Sequence, residues 1–215
     1  MRAPWILCIV EGDGETSAVP TLVNRMLRHL RRHRTIVADG TRVICTHDGS
    51  RIAEPHNPGR KLGIEYFVQR AVREKPGGIL VVVDAEDRCQ NRAAGQPALG
   101  PDLLARARAI AGQIPLAVVV ANRMFETWFL ADFHSLRSRN HLSPAAQLDQ
   151  WRTPESLGGC KGHMGSLLGR KYTETGDQPR LAKFVSLPVR PAMQQRSPSF
   201  FKLYRAVRAL SGQLT

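Results

Sequence analysis

The sequence predicts an α/β fold with a parallel sheet of about four strands and flanking helices. Short apolar runs rich in β-branched residues recur in its first half, most clearly at residues 6–10 and 79–83. Runs of this kind are typical of strands buried on both faces of a sheet. Amphipathic helical patterns separate them, so that residues 5–121 alternate as β-α-β-α-β-α-β. This alternation favours parallel strands joined by right-handed crossovers.

The remaining elements follow from the same patterns. Further strands are expected over residues 42–46 and 116–121. The first helix is expected to begin at Thr16 or Ser17, which are good capping residues, with Pro20 in its tolerant first turn. Apolar residues at helical spacing predict three more helices, near residues 64–72, 101–112 and 197–210.

The periodic pattern weakens after residue 132. We therefore predict an α/β core over residues 1–132 and a mainly helical C-terminal extension over 133–215, packed on the core. Within the extension, short helical segments are expected around 144–151 and 178–187. Residues 158–163, with three glycines, a lysine and a histidine, are expected to form a flexible basic loop.

Charge and cysteine content limit the function classes. The 215 residues include 31 Lys plus Arg against 18 Asp plus Glu, a net charge of +13. This favours a polyanionic partner, with nucleic acid ahead of an acidic membrane surface, although an arginine-rich proteome would give a similar balance. The four cysteines lack zinc spacing, and those in strands are expected to act as small hydrophobes, which indicates a reduced, cytoplasmic chain. No apolar run is long enough to span a bilayer, and the short first run does not resemble a signal peptide.

Acidic residues follow the two clearest strands directly. They make up a third of the 18 acids in the chain: Glu11, Asp13, Glu15, Asp84, Glu86 and Asp87. Because ligands of open α/β sheets bind beyond the carboxyl ends of the strands, these side chains are expected to meet there. Clustered carboxylates repel one another unless a cation or proton shares the site, and oxygen-only ligands suit Mg²⁺ or Mn²⁺. Gly12 and Gly14 are expected to allow a tight turn that brings Glu11 and Glu15 together.

Other polar residues are weaker candidates. Glu126 begins an apolar helical stretch where the fourth strand ends, and it is either a site residue or a cap for nearby backbone. His47, Asp48 and His56 are candidate ligands in a loop, although scattered loop histidines usually are not. The basic residues at 28–34 either bind phosphate or complement the macrodipole at a helix C-terminus.

The acidic pattern resembles the Toprim fold shared by topoisomerases, bacterial primases and overcoming-lysogenization-defect (OLD) nucleases. The resemblance rests on a first-strand glutamate, Glu11, and on residues 84–86, with Glu86 in place of the second aspartate. Residues 10–22 are similar to the opening of OLD-type nucleases. Residues 126–132, 177–179 and 197–200 resemble a bacterial domain-of-unknown-function family of stand-alone Toprim-like proteins.

The resemblance implies metal-dependent phosphodiester chemistry. It assigns Mg²⁺ or Mn²⁺ to carboxylates shared by both strand ends: Glu11, Glu15, Asp84, Glu86 and Asp87. Glu126 would be a further catalytic acid. The late lysine of such nucleases would be Lys161 or Lys202, of which Lys161 is preferred for its glycine-flanked loop.

Three functions remain open from the sequence. The first is a nuclease for DNA or RNA, with a role in phage defence. The second is a nucleic-acid-binding subunit that acts beside an ATPase partner protein and has little activity alone. The third, a phosphotransfer enzyme for small molecules, is disfavoured by the basic charge. A topoisomerase or primase is not expected, because the chain lacks the additional domains that those activities need.

Overall fold

The computed structural model of the chain describes residues 4–86, 98–147, 154–187 and 191–214. Its sheet has five parallel strands: β1 (Trp5–Val10), β2 (Val37–Ala38), β3 (Ile44–Cys45), β4 (Gly78–Asp84) and β5 (Leu116–Ala121). The order is β2-β1-β4-β5, and β3 also pairs with β1. The predicted α/β class with a parallel sheet is confirmed. Instead of one strand over residues 42–46, two short strands share one edge of β1, with β2 at its start and β3 at its end.

Helices connect the strands and form the C-terminal part of the described chain. They are α1 (Asp13–His29), α2 (Gly49–Ala53), α3 (Ile64–Arg73), α4 (Leu99–Ala111), α5 (Thr127–Ala131), α6 (Phe133–Ser138), α7 (Cys160–Leu168), α8 (Glu174–Ala182), α9 (Pro191–Arg196) and α10 (Pro198–Gln213). A short 3₁₀ turn spans Pro154–Ser156.

The first helix begins earlier than predicted. Gly12 is its N-cap, and Pro20 lies inside the helix rather than in its first turn. Thr16 does not cap the helix, because its hydroxyl donates back to the carbonyl of Asp13 at 2.6 Å. Asp13 and Glu15 therefore lie in the first turn of α1, where the positive end of the helix dipole favours acidic side chains.

Side chains alternate across the sheet and form two apolar layers. In β1, Ile6, Cys8 and Val10 pack with α1 and the C-terminal helices on one face. Leu7 and Ile9 pack with α3 and α4 on the other face. This is the period-2 pattern of a strand buried on both sides.

The C-terminal helices share the core on the α1 face of the sheet. Helix α8 packs along α1, and α10 packs on β4, β5 and α1. Their apolar residues belong to the same buried cluster as those of α1. The helical character of this region agrees with the sequence, whereas a division at residue 132 stays a prediction.

Two details of the C-terminal region differ from expectation. Residues 158–163 are not a flexible loop, because α7 begins at Cys160, after Gly159 in a left-handed backbone conformation. Residues 144–147 are not helical, and the rest of the predicted segment, 148–151, lies outside the described residues. In the described part of the chain, no helix is long and apolar enough to cross a membrane.

Candidate active site

Four acidic side chains are buried at the carboxyl edge of the sheet. Glu11 follows β1, Asp84 ends β4, Glu15 lies in the first turn of α1, and Glu126 directly precedes α5. Their relative exposures are 7% for Glu11, 4% for Glu15, 9% for Asp84 and 1% for Glu126. We call these four residues the acidic cluster.

The members of the acidic cluster affect one another electrostatically. Burial, followed by the charge of Glu11 and a smaller effect of Glu126, raises the pKa of Glu15 to about 8. Burial also raises the pKa of Asp84 well above its usual value, and the charges of Glu15, Glu11 and Glu126 add to this effect. Without a cation, Glu15 and Asp84 therefore retain protons at pH values where an exposed carboxyl has lost its proton.

Glu11 and Glu15 meet through the first turn of α1. The backbone N–H of Glu11 donates to Oε2 of Glu15 at 3.1 Å. Gly12 has an extended backbone with φ −110°, so it does not form the glycine-specific turn that the sequence suggested.

Gly14 serves a different purpose from the one predicted. A Cβ atom at this position would overlap the Gln178 side chain and lie 2.5 Å from the backbone oxygen of Glu174. The absence of a side chain at Gly14 therefore allows the start of α1 to approach the start of α8 closely. This approach brings α8 to the edge of the acidic cluster.

Residues from the C-terminal region hold Glu126. Its Oε1 atom accepts hydrogen bonds from the Tyr172 hydroxyl and from Nε2 of Gln178, each at 3.1 Å. The side chain does not cap α5. Burial, then the charge and hydrogen bond of Glu126, raises the pKa of Tyr172, so its hydroxyl stays protonated and donates. Sequence reasoning missed both donors, although Gln178 lies in residues 177–179, which were noted for their resemblance to a bacterial domain-of-unknown-function family.

Lys161 lies beside the acidic cluster, on the first turn of α7. Its Nζ atom is 2.8 Å from Oε1 of Glu174, and both side chains are about half exposed. Burial lowers the pKa of Lys161, but the hydrogen bond and charge of Glu174, with the charges of Glu126 and Asp84, raise it above its usual value. Lys202 is exposed on α10. Lys161 is thus the candidate lysine that responds to the charge of the cluster.

The other predicted ligands differ in their surroundings. Glu86 is exposed, with a left-handed φ of +46°, and its backbone N–H donates to the carbonyl of Arg123 at 2.7 Å. Asp87 lies outside the described residues. Whether Glu86 and Asp87 hold metal stays a prediction.

A second group of polar side chains surrounds the end of β3. Asp13, Cys45 and His47 come together there, with all three potential ligand atoms within 4.8 Å of one another. Asp48 and His56 are exposed. Cys45 was expected to act as a small hydrophobe, but its position as the last residue of a strand places it next to the start of α1.

A hydrogen-bonded network fixes α5, and so supports Glu126. Nε1 of Trp128 donates to the Ser199 hydroxyl at 2.8 Å. The carboxylate of Glu155 accepts from the backbone N–H of Ser199 at 2.8 Å and from the Ser197 hydroxyl at 2.7 Å. Residues 197–200, noted for their resemblance to a family, therefore join the start of α10 to α5. Sequence reasoning did not identify Glu155 as the acceptor.

The fold and the site define an α/β protein with a buried acidic site at the carboxyl edge of a parallel sheet, where such folds bind ligands. No protein-family model matches the chain, and no curated protein matches it. Its fold is similar to that of the C-terminal region of the Burkholderia pseudomallei OLD protein, at 17% identity and a TM-score of 0.50, with 100% of both chains covered. The C-terminal region of the Xanthomonas campestris pv. campestris OLD protein also aligns, at 16% identity and a TM-score of 0.41, over 96% of this chain and 95% of that chain.

The first of these likenesses establishes a shared fold with the C-terminal region of an OLD protein. It agrees with the OLD-type resemblance noted for residues 10–22. The narrower assignment to Toprim stays a prediction.

Proposed function

We propose that this chain is a metal-dependent nuclease that hydrolyses phosphodiester bonds of DNA or RNA with Mg²⁺ or Mn²⁺. The observation that carries the proposal is the acidic cluster, in which four carboxyl side chains are buried together at the ligand edge of the sheet. Ionised carboxylates in such a position are costly unless a cation compensates their charge. The fold shared with an OLD C-terminal region makes a nuclease-related function the natural choice.

The donor set fits a hard divalent cation. Glu11, Glu15 and Asp84 offer only oxygen atoms, which suit Mg²⁺ and Mn²⁺. A bound ion would polarise the phosphoryl oxygen and lower the pKa of an attacking water. Glu126 is the fourth candidate, and Tyr172 and Gln178 fix the position of its carboxylate.

Lys161 would contribute a positive charge beside the reacting phosphate. It is held by Glu174 and responds to the charges of Glu126 and Asp84. A preorganised cation near developing negative charge stabilises a transition state without further reorganisation. This role explains why a basic side chain would stand at the edge of an acidic cluster.

A basic groove near β3 is the proposed path of the nucleic-acid backbone. One cavity of about 370 Å³ is lined in part by Arg51, Lys61 and Arg70. A second cavity of about 260 Å³ shares Arg70 with it and adds Arg42. Basic side chains spaced along a groove are suited to successive phosphates.

The basic stretch at residues 28–34 lies far from the acidic cluster. Helix α1 has Glu15 in its first turn and ends at His29. With 17 residues and a rise of about 1.5 Å each, its two ends are about 25 Å apart. This stretch would therefore contact nucleic acid only at a distance from the scissile bond, and the helix-dipole explanation of its charge remains open.

The test is a cleavage assay with single- and double-stranded DNA and RNA in Mn²⁺, Mg²⁺ or EDTA. We expect metal-dependent cleavage by the wild type, and its loss in Asp84→Asn with nucleic-acid binding retained. Glu54→Gln is the matched control, since Glu54 is an exposed acid that lines neither cavity of the proposed groove. Equal activity of Asp84→Asn and wild type would overturn the assignment of the site.

A second candidate is a nucleic-acid-binding subunit that needs an ATPase partner for activity, as in a phage-defence system. One observation favours it: the structural neighbour that this chain covers from end to end is itself a C-terminal region of a larger protein. Tight, salt-dependent nucleic-acid binding without cleavage in any metal would support this second function over the first.

A further inference from the structure

Three different ligand atoms form a compact triangle outside the acidic cluster. Nδ1 of His47 is 3.1 Å from Oδ1 of Asp13 and 3.5 Å from Sγ of Cys45. The third side of the triangle, from Sγ of Cys45 to Oδ1 of Asp13, measures 3.7 Å. Each residue therefore contributes a single atom, and these three atoms form the corners of the triangle.

These distances match those of a tetrahedral zinc site. With bonds of about 2.3 Å to sulfur and about 2.0–2.1 Å to nitrogen or oxygen, the edges of a tetrahedron are about 3.5 Å from sulfur to nitrogen or oxygen and about 3.3 Å from nitrogen to oxygen. The observed edges of 3.5, 3.7 and 3.1 Å differ from these values by about 0.2 Å or less. A zinc ion would therefore need little movement of the ligands.

The donor set also distinguishes this triangle from the acidic cluster. A thiolate and an imidazole favour Zn²⁺ over Mg²⁺, whereas an oxygen-only set favours the reverse. We propose that Asp13, Cys45 and His47 bind one Zn²⁺ ion with three protein ligands and a fourth position open to solvent. Three protein ligands with an open position are the pattern of reactive rather than purely structural zinc sites.

The surroundings of the triangle are consistent with an open fourth position. A cavity of about 440 Å³ is lined by Asp13 and His47, together with Gly12, Gly14, Glu174 and Thr175. Both the Asp13 and the His47 side chains are about two-thirds exposed, and Cys45 is partly buried. Water or a phosphate oxygen can reach the fourth position through this cavity.

Proton balance at the site is simple. Without metal, the Cys45 thiol can donate to the backbone oxygen of Glu11, with Sγ and O 3.3 Å apart. Binding of Zn²⁺ replaces the S–H bond by a bond from the metal to sulfur and releases that proton to solvent. The site would then tie the end of β3 to the first turn of α1, next to Glu11.

The inference does not rest on the proposed nuclease function, because metal binding can be measured without nucleic acid. The probe is Co²⁺, titrated into protein that has been treated with a chelator and kept reduced. We expect one equivalent of Co²⁺ to produce a thiolate-to-cobalt charge-transfer band and the intense visible bands of tetrahedral Co²⁺. We expect Zn²⁺ to bleach these bands and excess Mg²⁺ to leave them unchanged.

Variants identify the ligands. Cys45→Ser should abolish the charge-transfer band, and Asp13→Asn and His47→Asn should each weaken Co²⁺ binding at least tenfold. Asparagine is chosen at position 47 because His47 has φ +59°, a conformation that asparagine tolerates. His56→Asn, at an exposed loop histidine, is the matched control and should bind like the wild type.

A further variant separates the two metal sites. Asp84→Asn should leave the Co²⁺ spectrum intact even if it abolishes cleavage, whereas Cys45→Ser should lose the spectrum. A charge-transfer band that persists in Cys45→Ser, or Co²⁺ bound without such a band, would overturn the proposal. Circular dichroism of each variant shows whether a lost spectrum reflects a lost fold.

Discussion

Two buried aspartates of this chain respond to burial in opposite ways. Asp84 is 9% exposed and its pKa is raised, whereas Asp177 is 1% exposed and its pKa is lowered to about 2. Burial alone would raise the pKa of Asp177. Hydrogen bonds from Arg170, from the backbone N–H of Thr173 and from Arg180 reverse that effect.

The difference lies in the charges that the fold places around each carboxyl group. Asp177 has two arginines as ion-pair partners, at Arg170 and Arg180, so its charge is compensated within the chain. At Asp84 the dominant neighbouring charges are negative, from Glu15 and Glu11. The surroundings of Asp177 thus favour its charged form, whereas those of Asp84 favour its protonated form.

The largest expected effect is a loss of nuclease activity in Glu15→Gln, which removes one of the negative charges near Asp84. Glutamine keeps an oxygen acceptor for the Glu11 N–H but loses the negative charge. We expect cleavage to fall by more than the roughly 10- to 100-fold that loss of an outer-shell partner costs. Single-turnover cleavage rates in Mn²⁺, with Glu54→Gln as control, measure the effect. A loss of less than tenfold would remove Glu15 from the metal ligands.

The next largest effect is on the free energy of unfolding, which should depend on pH through Glu15 when no metal is present. Because the pKa of Glu15 is raised from 4.5 to about 8, ionising this group disfavours the folded state. The free energy of unfolding should therefore fall as pH rises from about 4.5 to about 8, by an amount on the order of a few kcal/mol. Urea denaturation in EDTA measures this loss, which should be smaller in Glu15→Gln.

Added metal provides the complementary test of the same group. Millimolar Mn²⁺ should restore most of the lost stability of the wild type at pH 8 and little of it in Glu15→Gln, because only the folded wild type has the charged ligand. Parallel pH profiles of wild type and variant would contradict the raised pKa of Glu15.

Asp177→Asn should have the opposite dependence on pH. The pKa of Asp177 is lowered from 3.8 to about 2, so its contribution to stability is complete above about pH 4 and is lost as pH falls through about 2. We expect a destabilisation of about 2 kcal/mol at pH 7 that shrinks toward pH 2. Urea midpoints at both pH values measure it.

Asp102→Asn is the matched control for the prediction at Asp177. Asp102 is more exposed than Asp177 and forms a longer ion pair, with Arg106 at 3.8 Å, so its loss should cost no more than about 1 kcal/mol. Equal losses in the two variants would mean that the arginines around Asp177 contribute little.

The smallest expected effect is that of Tyr172→Phe, which tests how much the hydrogen bond from Tyr172 contributes to holding Glu126. The variant keeps the aromatic ring but removes one of the two donors to Oε1 of Glu126. We expect activity to fall by about 10-fold at most, because Gln178 still holds the carboxylate. Unchanged activity together with unchanged metal affinity would show that the tyrosine has no role in the site.

The parts of the site that sequence could predict are those governed by sheet geometry. Glu11 and Asp84 follow parallel strands, and parallel strands that pair side by side end at one edge. The same reasoning predicted β5 and placed Glu126 beyond its carboxyl end. The gathering of these three acids was thus predictable, whereas their metal ligation stays a prediction.

The parts that sequence could not predict depend on tertiary contacts. The glycines near Lys161 favoured a loop, but burial of Cys160 and Met164 stabilises α7 against that local preference. The sequence suggested that Gly14 allows a tight turn. In the structure Gly14 instead allows close contact with α8, which lies more than 150 residues later in the chain. Local pattern cannot reveal that Asp13 meets Cys45 and His47, because no periodicity links the start of a helix to a strand end and a loop more than 30 residues later.

The distance along the chain between Glu126 and its donors has a consequence for biosynthesis. Tyr172 and Gln178 follow Glu126 by 46 and 52 residues. Chains emerge from the ribosome with the N-terminal part first, so the strands and their acids are available before the groups that orient Glu126. A nascent chain would therefore orient Glu126 only after residues 172–178 have left the exit tunnel, later than the strands that carry Glu11 and Asp84.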